Sequence, residues 1–225
     1  MADNLILNGN VRKTAVPNLP EGSLFNPAVN NRGDFLLAQA LPPYAEIVRL
    51  GQTWTMRTAT GSAFNLVAAL PTTLATAILY NGEASGGKSY VIHSAFVTTI
   101  VTTTALTSIS LLAQVLPNNG NSATAPTHSA TTTLLTSNSG RQSYGGNARR
   151  AVNVTTFFTD LWQVIGQGNG AATASIATGA FGQVDGQLII PPGGALGLNA
   201  IAGTVATASG IIGCTWSEVQ LDLVS

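Results

Sequence analysis

The sequence predicts an all-β sandwich or barrel entered through an extended arm. Three observations carry that prediction. After Gly51, short runs rich in Val, Ile, Thr and aromatic residues recur, with Gly, Pro, Asn or Ser clusters every ~8–12 residues between them. In the clearest runs apolar and polar residues alternate with a period of two. No stretch shows the three- and four-residue spacing of an amphipathic helix.

The arm, residues 1–50, comes first. Pro17, Pro20, Pro27, Pro42 and Pro43 punctuate it, and turns rich in Asn and Gly fill the gaps, so no helical or strand period persists. Its apolar residues, among them Leu24, Phe25, Phe35 and Leu36, favour docking on a neighbour over free solvation. The prolines keep such an arm from pairing promiscuously as a strand. The acidic, polar start Met1-Ala2-Asp3-Asn4, with Arg12 and Lys13 after the apolar Leu5-Ile6-Leu7, is the reverse of a secretory signal.

Residues 51–225 make up the expected sandwich. A first group of strands is predicted at 53–58, 62–70, 75–80, 89–99 and 107–115. In the last of these Ile109, Leu111, Ala113 and Val115 share a face with Thr107, opposite Ser108, Ser110 and Gln114. Residues 117–150 read as a long polar loop with a short strand near 131–135. A second group is predicted at 152–158, 175–181, 187–190, 195–202 and 211–223. In the final run Val219, Leu221 and Leu223 alternate with Glu218, Gln220 and Asp222, yet Cys214 and Trp216 share the parity of the polar set. Either a bulge shifts the phase or that end of the outer face is covered. The stretches 166–182 and 194–210 are dominated by small residues, which predicts inner strands of a tightly packed assembly, lying against other backbone.

Composition narrows the function. Only 8% of residues are charged, against roughly 25% in ordinary soluble proteins. No Asp, Glu, Lys or Arg occurs between Ser89 and Gly140 or between Gly186 and Ser217. Enzymes bring titratable groups together, and few are present. A formal net charge of +0 lacks the footprint of a nucleic-acid binder and tolerates close packing of copies. The single Cys214 cannot form an internal disulfide. Residues 91–116 are uncharged and long enough to cross a bilayer, but their Thr and Ser content and β-branched bias fit strands, so no membrane is expected.

The motifs weigh the same way. Gly82-Glu83-Ala84-Ser85-Gly86-Gly87-Lys88-Ser89 spells a phosphate-binding loop, but strand-like residues follow it where a helix N-terminus is needed. The favoured reading is a Gly-rich hairpin with Lys88 solvated at its end. Arg32-Gly33-Asp34 is a polar turn, and Asn153-Val154-Thr155 a sequon without a secretion signal. His93 reads as a structural histidine within a strand, and His128 lies in the polar loop; with one cysteine no metal site reaches its ligand count. Arg141, Arg149 and Arg150 form a basic cluster beside Tyr144, read as a solvated loop tip. No catalytic, cofactor-binding or metal-binding residue is therefore assigned, and no cofactor.

Two segments carry a resemblance. Leu188-Ile189-Ile190-Pro191-Pro192-Gly193-Gly194-Ala195-Leu196-Gly197-Leu198, followed by Cys214-Thr215-Trp216-Ser217-Glu218-Val219, resembles virion structural proteins of tailed bacteriophages. So does Leu79-Tyr80-Asn81-Gly82-Glu83 turning through Gly86-Gly87-Lys88-Ser89-Tyr90. In such proteins an apolar strand enters Pro-Pro-Gly-Gly, a small-residue strand follows, and a Trp-containing strand ends the sandwich. The resemblance implies a jelly-roll-like antiparallel β-sandwich that assembles as a homotrimer in the virion. It implies a non-enzymatic capsid decoration, cement or spike component, with partners among other virion proteins such as the major capsid protein. The arm would clamp a neighbour. The alternative is a carbohydrate- or receptor-binding module of a tail fibre or spike, using the 117–150 loop.

Overall fold

The computed structural model describes residues 9–10, 24–25, 44–58, 62–66, 68–71, 75–116, 135–137, 144–154, 161–169, 178–203 and 206–220. The chain divides into two compact units, Met1–Glu46 and Ile47–Ser225. In the first, β1 (Gly9–Asn10) pairs antiparallel with β2 (Leu24–Phe25), a two-residue ladder where the sequence predicts no pairing. A short helix, α1 (Ala45–Arg49), also goes beyond the expected arm. It stops because Gly51 takes a left-handed conformation (φ 72°). The amides of Gly51 and Gln52 then donate back to the carbonyls of Val48 and Ile47, at 3.0 and 3.1 Å.

The second unit is an antiparallel β-sandwich. Its described strands are β3 (Thr53–Arg57), β4 (Ser62–Leu66), β5 (Ala75–Asn81), β6 (Ser89–Thr102), β7 (Ser108–Leu116) and β8 (Leu135–Ser137). They continue as β9 (Ala148–Val154), β10 (Gln163–Asn169), β11 (Thr178–Ile190), β12 (Ala195–Ala202) and β13 (Ala206–Val219). One sheet runs β10-β7-β12-β5-β9; the other runs β11-β6-β13-β3-β8, with β4 also paired to β13. β3 and β4 lie along different parts of β13, so together they act as one interrupted first strand. With β8 and β9 set aside as additions on the outer edges, the sheets read 1-8-3-6 and 2-7-4-5. That is the order of a jelly roll.

The core lies between the sheets and includes Met56, Leu79, Ile92, Val97, Leu196 and Ile212. Each such side chain contributes about 1.5–3 kcal/mol by leaving water. Ile109, Leu111 and Ala113 face inward as their alternation predicts. The opposite face of β7 is not simply solvated: Leu112 joins Ile78, Ala195 and Trp162 in a second buried cluster.

β13 resolves its own parity. Ala208, Ile212, Cys214, Trp216 and Glu218 are all buried, so one inward face runs without interruption to a carboxylate. The bulges lie on the partner strand: His93 and Ile100 are the extra residues of β6 opposite β13. Residues 221–225 lie outside the described part.

Three expectations change in the small-residue and loop regions. Of the strands expected at 175–181 and 187–190, residues 178–181 and 187–190 are parts of a single β11, whose register on β6 shifts between Gln183 and Leu188, and 175–177 lie outside the described residues. β10 is not among the strand runs marked by alternation, because Gly166 and Gly168 break its pattern; only the small-residue stretch 166–182 points to strand there. The 117–150 stretch contributes β8 against β3 and the start of β9 against β5. Among the described residues no helix is long and apolar enough to cross a membrane, and residues 91–116 are divided between β6 and β7.

The glycines of β10 and β11 have a specific reason. A Cβ on Gly166 would lie 2.6 Å from the carbonyl oxygen of Phe181, and one on Gly168 or Gly182 would strike the carbonyls of Gly179 and Ile165. β10 and β11 are thus edge strands and not the expected inner ones: they cross backbone to backbone, and the backbone they meet belongs to this same chain. Gly168→Ala is expected to cost ~2–3 kcal/mol by overpacking. That corresponds to a melting temperature lower by ~4–12 °C, read by circular dichroism. Gly145→Ala, with nothing within 4 Å of the added carbon, should stay within ~0.5 kcal/mol of the parent. Equal melting of the two variants would remove the crossing as the explanation.

Candidate functional site

In this strand order most connections pass from one sheet to the other. Gly82–Lys88 joins β5 to β6, which lie in different sheets, so the segment is a corner and not the expected hairpin. Pro191–Gly194 is another corner, from β11 to β12. It is a turn with Pro192 and the left-handed Gly193 (φ 77°) at its centre, closed by the Gly194 amide donating to the Pro191 carbonyl at 2.9 Å.

Asn81 ties the two corners together. Its buried amide donates to the carbonyls of Lys88 and Ile190 at 2.8 and 3.1 Å, and its side-chain oxygen accepts the Glu83 amide at 3.1 Å. Its backbone N–H donates to Gly194 O while its own carbonyl accepts the Gly193 amide, both at 2.9 Å. A third segment joins through Asn147, whose side chain donates to Glu83 Oε1 at 3.0 Å and whose carbonyl accepts the Gly82 amide at 3.2 Å.

Glu218 stands at the centre of the same end. Its carboxylate is 6% exposed. Oε1 accepts the Tyr144 hydroxyl at 2.6 Å, and Oε2 takes Lys88 Nζ at 3.3 Å. Tyr144 also accepts the Ala148 amide at 2.7 Å and lies 3.3 Å from the Tyr90 hydroxyl. With its one proton given to Glu218, Tyr144 can only accept from Tyr90, so the chain of donors runs Tyr90, Tyr144, Glu218. Trp54 packs edge-on to Tyr144 with centroids 4.9 Å apart, and Trp216 lies 6.0 Å from both tyrosine rings. Burial, reinforced by neighbouring Glu218, pushes both phenols above the ordinary tyrosine range, so they remain donors at physiological pH.

This arrangement gives the phosphate-loop lettering a structural meaning. The residues after Lys88 enter β6, where Ser89 is fully buried. Lys88 meets a carboxylate in place of a phosphate, and Glu83 turns to Asn147. Arg149 and Arg150, expected at a loop tip, lie on β9, and Arg149 donates to the carbonyls of Gly146 and Ala148. Tyr144, expected in a polar loop, is 3% exposed and belongs to the core. Asn153 lies on β9. Arg141, His128, Thr155 and Arg32-Gly33-Asp34 fall outside the described residues.

His93 occupies the β6 bulge, where its Nε2 shares a hydrogen bond with Ser217 Oγ at 2.5 Å, and Ser217 lies 3.2 Å from Thr53 Oγ1. Burial lowers the imidazole pKa below its usual 6.5, and the nearby Asp185 charge partly offsets that. Cys214 is a fully buried free thiol, held protonated by the same desolvation. Among the described residues no three His, Cys, Asp or Glu side chains gather as a metal site would require.

No protein-family model, no curated protein and no solved structure matches the chain. The site must therefore be read from its own geometry: three corners and the last strand locked around one buried carboxylate.

Two outcomes test this lock. Tyr144→Phe strands a carboxylate oxygen, a buried amide and the Tyr90 hydroxyl, and should cost ~3 kcal/mol. Lys88→Met leaves the buried Glu218 carboxylate without its cation and should also cost ~3 kcal/mol, whereas Lys88→Arg keeps the charge and should cost ~1 kcal/mol or less; urea denaturation separates the two outcomes. For His93, the folded pKa lies below the unfolded one, so the unfolded chain binds more protons as pH falls. Its contribution is complete above pH 6.5 and is lost as pH falls towards the folded value. Melting temperature should drop across that window, and His93→Gln should flatten the drop.

Proposed function

We propose that the chain is a non-enzymatic structural protein of a tailed-phage virion, a capsid decoration, cement or spike component that assembles with copies of itself. The jelly-roll order and the resemblance of the 79–90 and 188–219 segments support the family. The observation that carries the mode of action is apolar exposure at the end of the sandwich away from Glu218. The bulge at Ile100 turns two consecutive apolar side chains outward: Ile100 is 41% and Val101 55% exposed. Leu70, in the connection to β5, is 51% exposed at the same end.

A rigid unit, locked at one end and apolar at the other, suits a part that buries surface against copies of itself in a symmetric oligomer. Its partners in this reading are its own copies, as a homotrimer, and the major capsid protein, with neither a specific nucleic acid nor a membrane. Size-exclusion chromatography with light scattering should give a trimer for the full chain. The double substitution Ile100→Asp, Val101→Asp should give a monomer with unchanged circular dichroism. A parent chain that runs as a monomer would overturn the assembly reading.

A further inference from the structure

Beyond their glycine crossing, β10 and β11 part and leave a groove of about 330 Å³, lined by Gln163, Val164, Ile165, Gln183, Gln187 and Leu188 among others. That volume is at the lower end of the ~300–1,000 Å³ usual for ligand clefts. The groove exists because β11 departs from β6 between Gln183 and Leu188. There Asp185 (φ 48°) and Gly186 (φ 81°) take left-handed conformations. A non-glycine residue in that region costs energy and persists only where the surroundings hold it.

The chemistry of the walls is specific. Gln183 Nε2 donates to Asp185 Oδ1 at 3.0 Å, which orients the amide and keeps its carbonyl oxygen and second N–H for a further partner. Gln163 and Gln187 each add a planar donor–acceptor group. Phe181 flanks the groove and does not line it: it shares the outward face of β11 with Gln183, two residues along, and is 60% exposed. Val164, 52% exposed, adds apolar surface from the other wall. Among the described residues no Lys or Arg lines the groove, and Asp185 places negative charge beside it, which disfavours an anion. A purely apolar ligand would strand the amides without hydrogen bonds.

We infer that this groove binds a neutral saccharide. Sugar hydroxyls both donate and accept, as the three glutamine amides do, and the apolar C–H face of a pyranose ring packs on Phe181. The site is separate from the apolar end: the groove lies along β11 where it pairs with residues 91–94 of β6, whereas Ile100 and Val101 lie at the far end of β6. Sugar binding and oligomerisation can therefore fail independently.

Saturation-transfer difference NMR on the full chain with maltohexaose, cellohexaose and mannohexaose tests the inference. At least one oligomer should receive saturation from the protein. Phe181→Ala and Gln187→Ala should each weaken binding by about tenfold, the loss of one good contact, with melting temperature unchanged. Asn169→Ala, in a separate polar groove at the other end of β10, should bind like the parent. No transfer to any of the three oligomers would overturn the inference. So would binding that Phe181→Ala and Gln187→Ala leave unaltered, or binding only to anionic polygalacturonate.

Discussion

The carboxylate of Glu218 cannot be taken out of water alone. Burying an unpaired charge costs several kcal/mol, more than most single side chains return. The last strand can end inside the sandwich only if partners arrive from elsewhere in the chain. Tyr144 comes from the stretch before β9, Tyr90 from the start of β6 and Lys88 from the corner before it. Their sequence distance from Glu218 makes the cluster a closing contact of the fold: it forms only when three corners are already near one another. The indoles of Trp54 and Trp216 pack beside it and exclude water, which strengthens each hydrogen bond inside.

The opposite constraint acts at the side of the sandwich. There the two sheets are closed by the absence of side chains, since Gly166, Gly168 and Gly182 let β10 and β11 cross backbone to backbone. One end depends on long polar side chains meeting, and the flank depends on there being none. Where the glycines stop, the strands must part, and the β11 bulge at Asp185 and Gly186 widens the gap. The groove is thus a geometric consequence of the closure beside it.

These features divide the surface into regions with different chemistry. At the corner end Asn81 alone engages both corners through side chain and backbone. The far end carries Leu70, Ile100 and Val101 into solvent, and the flank combines amides with one exposed aromatic ring. In the proposed virion role, assembly and surface recognition then use separate parts of one rigid body.

Strand positions with strong alternation were legible from the sequence because a period of two needs only local information. β12 was expected at 195–202 and is found there, and the inner face of β7 is the one its alternation marks. The turn at Pro191–Gly194 was legible for the same reason: proline presets φ, and only glycine enters the left-handed region without cost. The bounds and edge position of β10 were not legible, because its glycines answer to Phe181 and Gly179, residues of another strand. Nor was the burial of Tyr144 and Glu218, which read as polar until their partners are known. Local pattern alone fixes where the alternating strands run, where they turn and how little charge the chain carries. Which corners meet, which charge goes inside and where the sheets separate follow from the folded arrangement, because they depend on contacts between residues far apart in the chain.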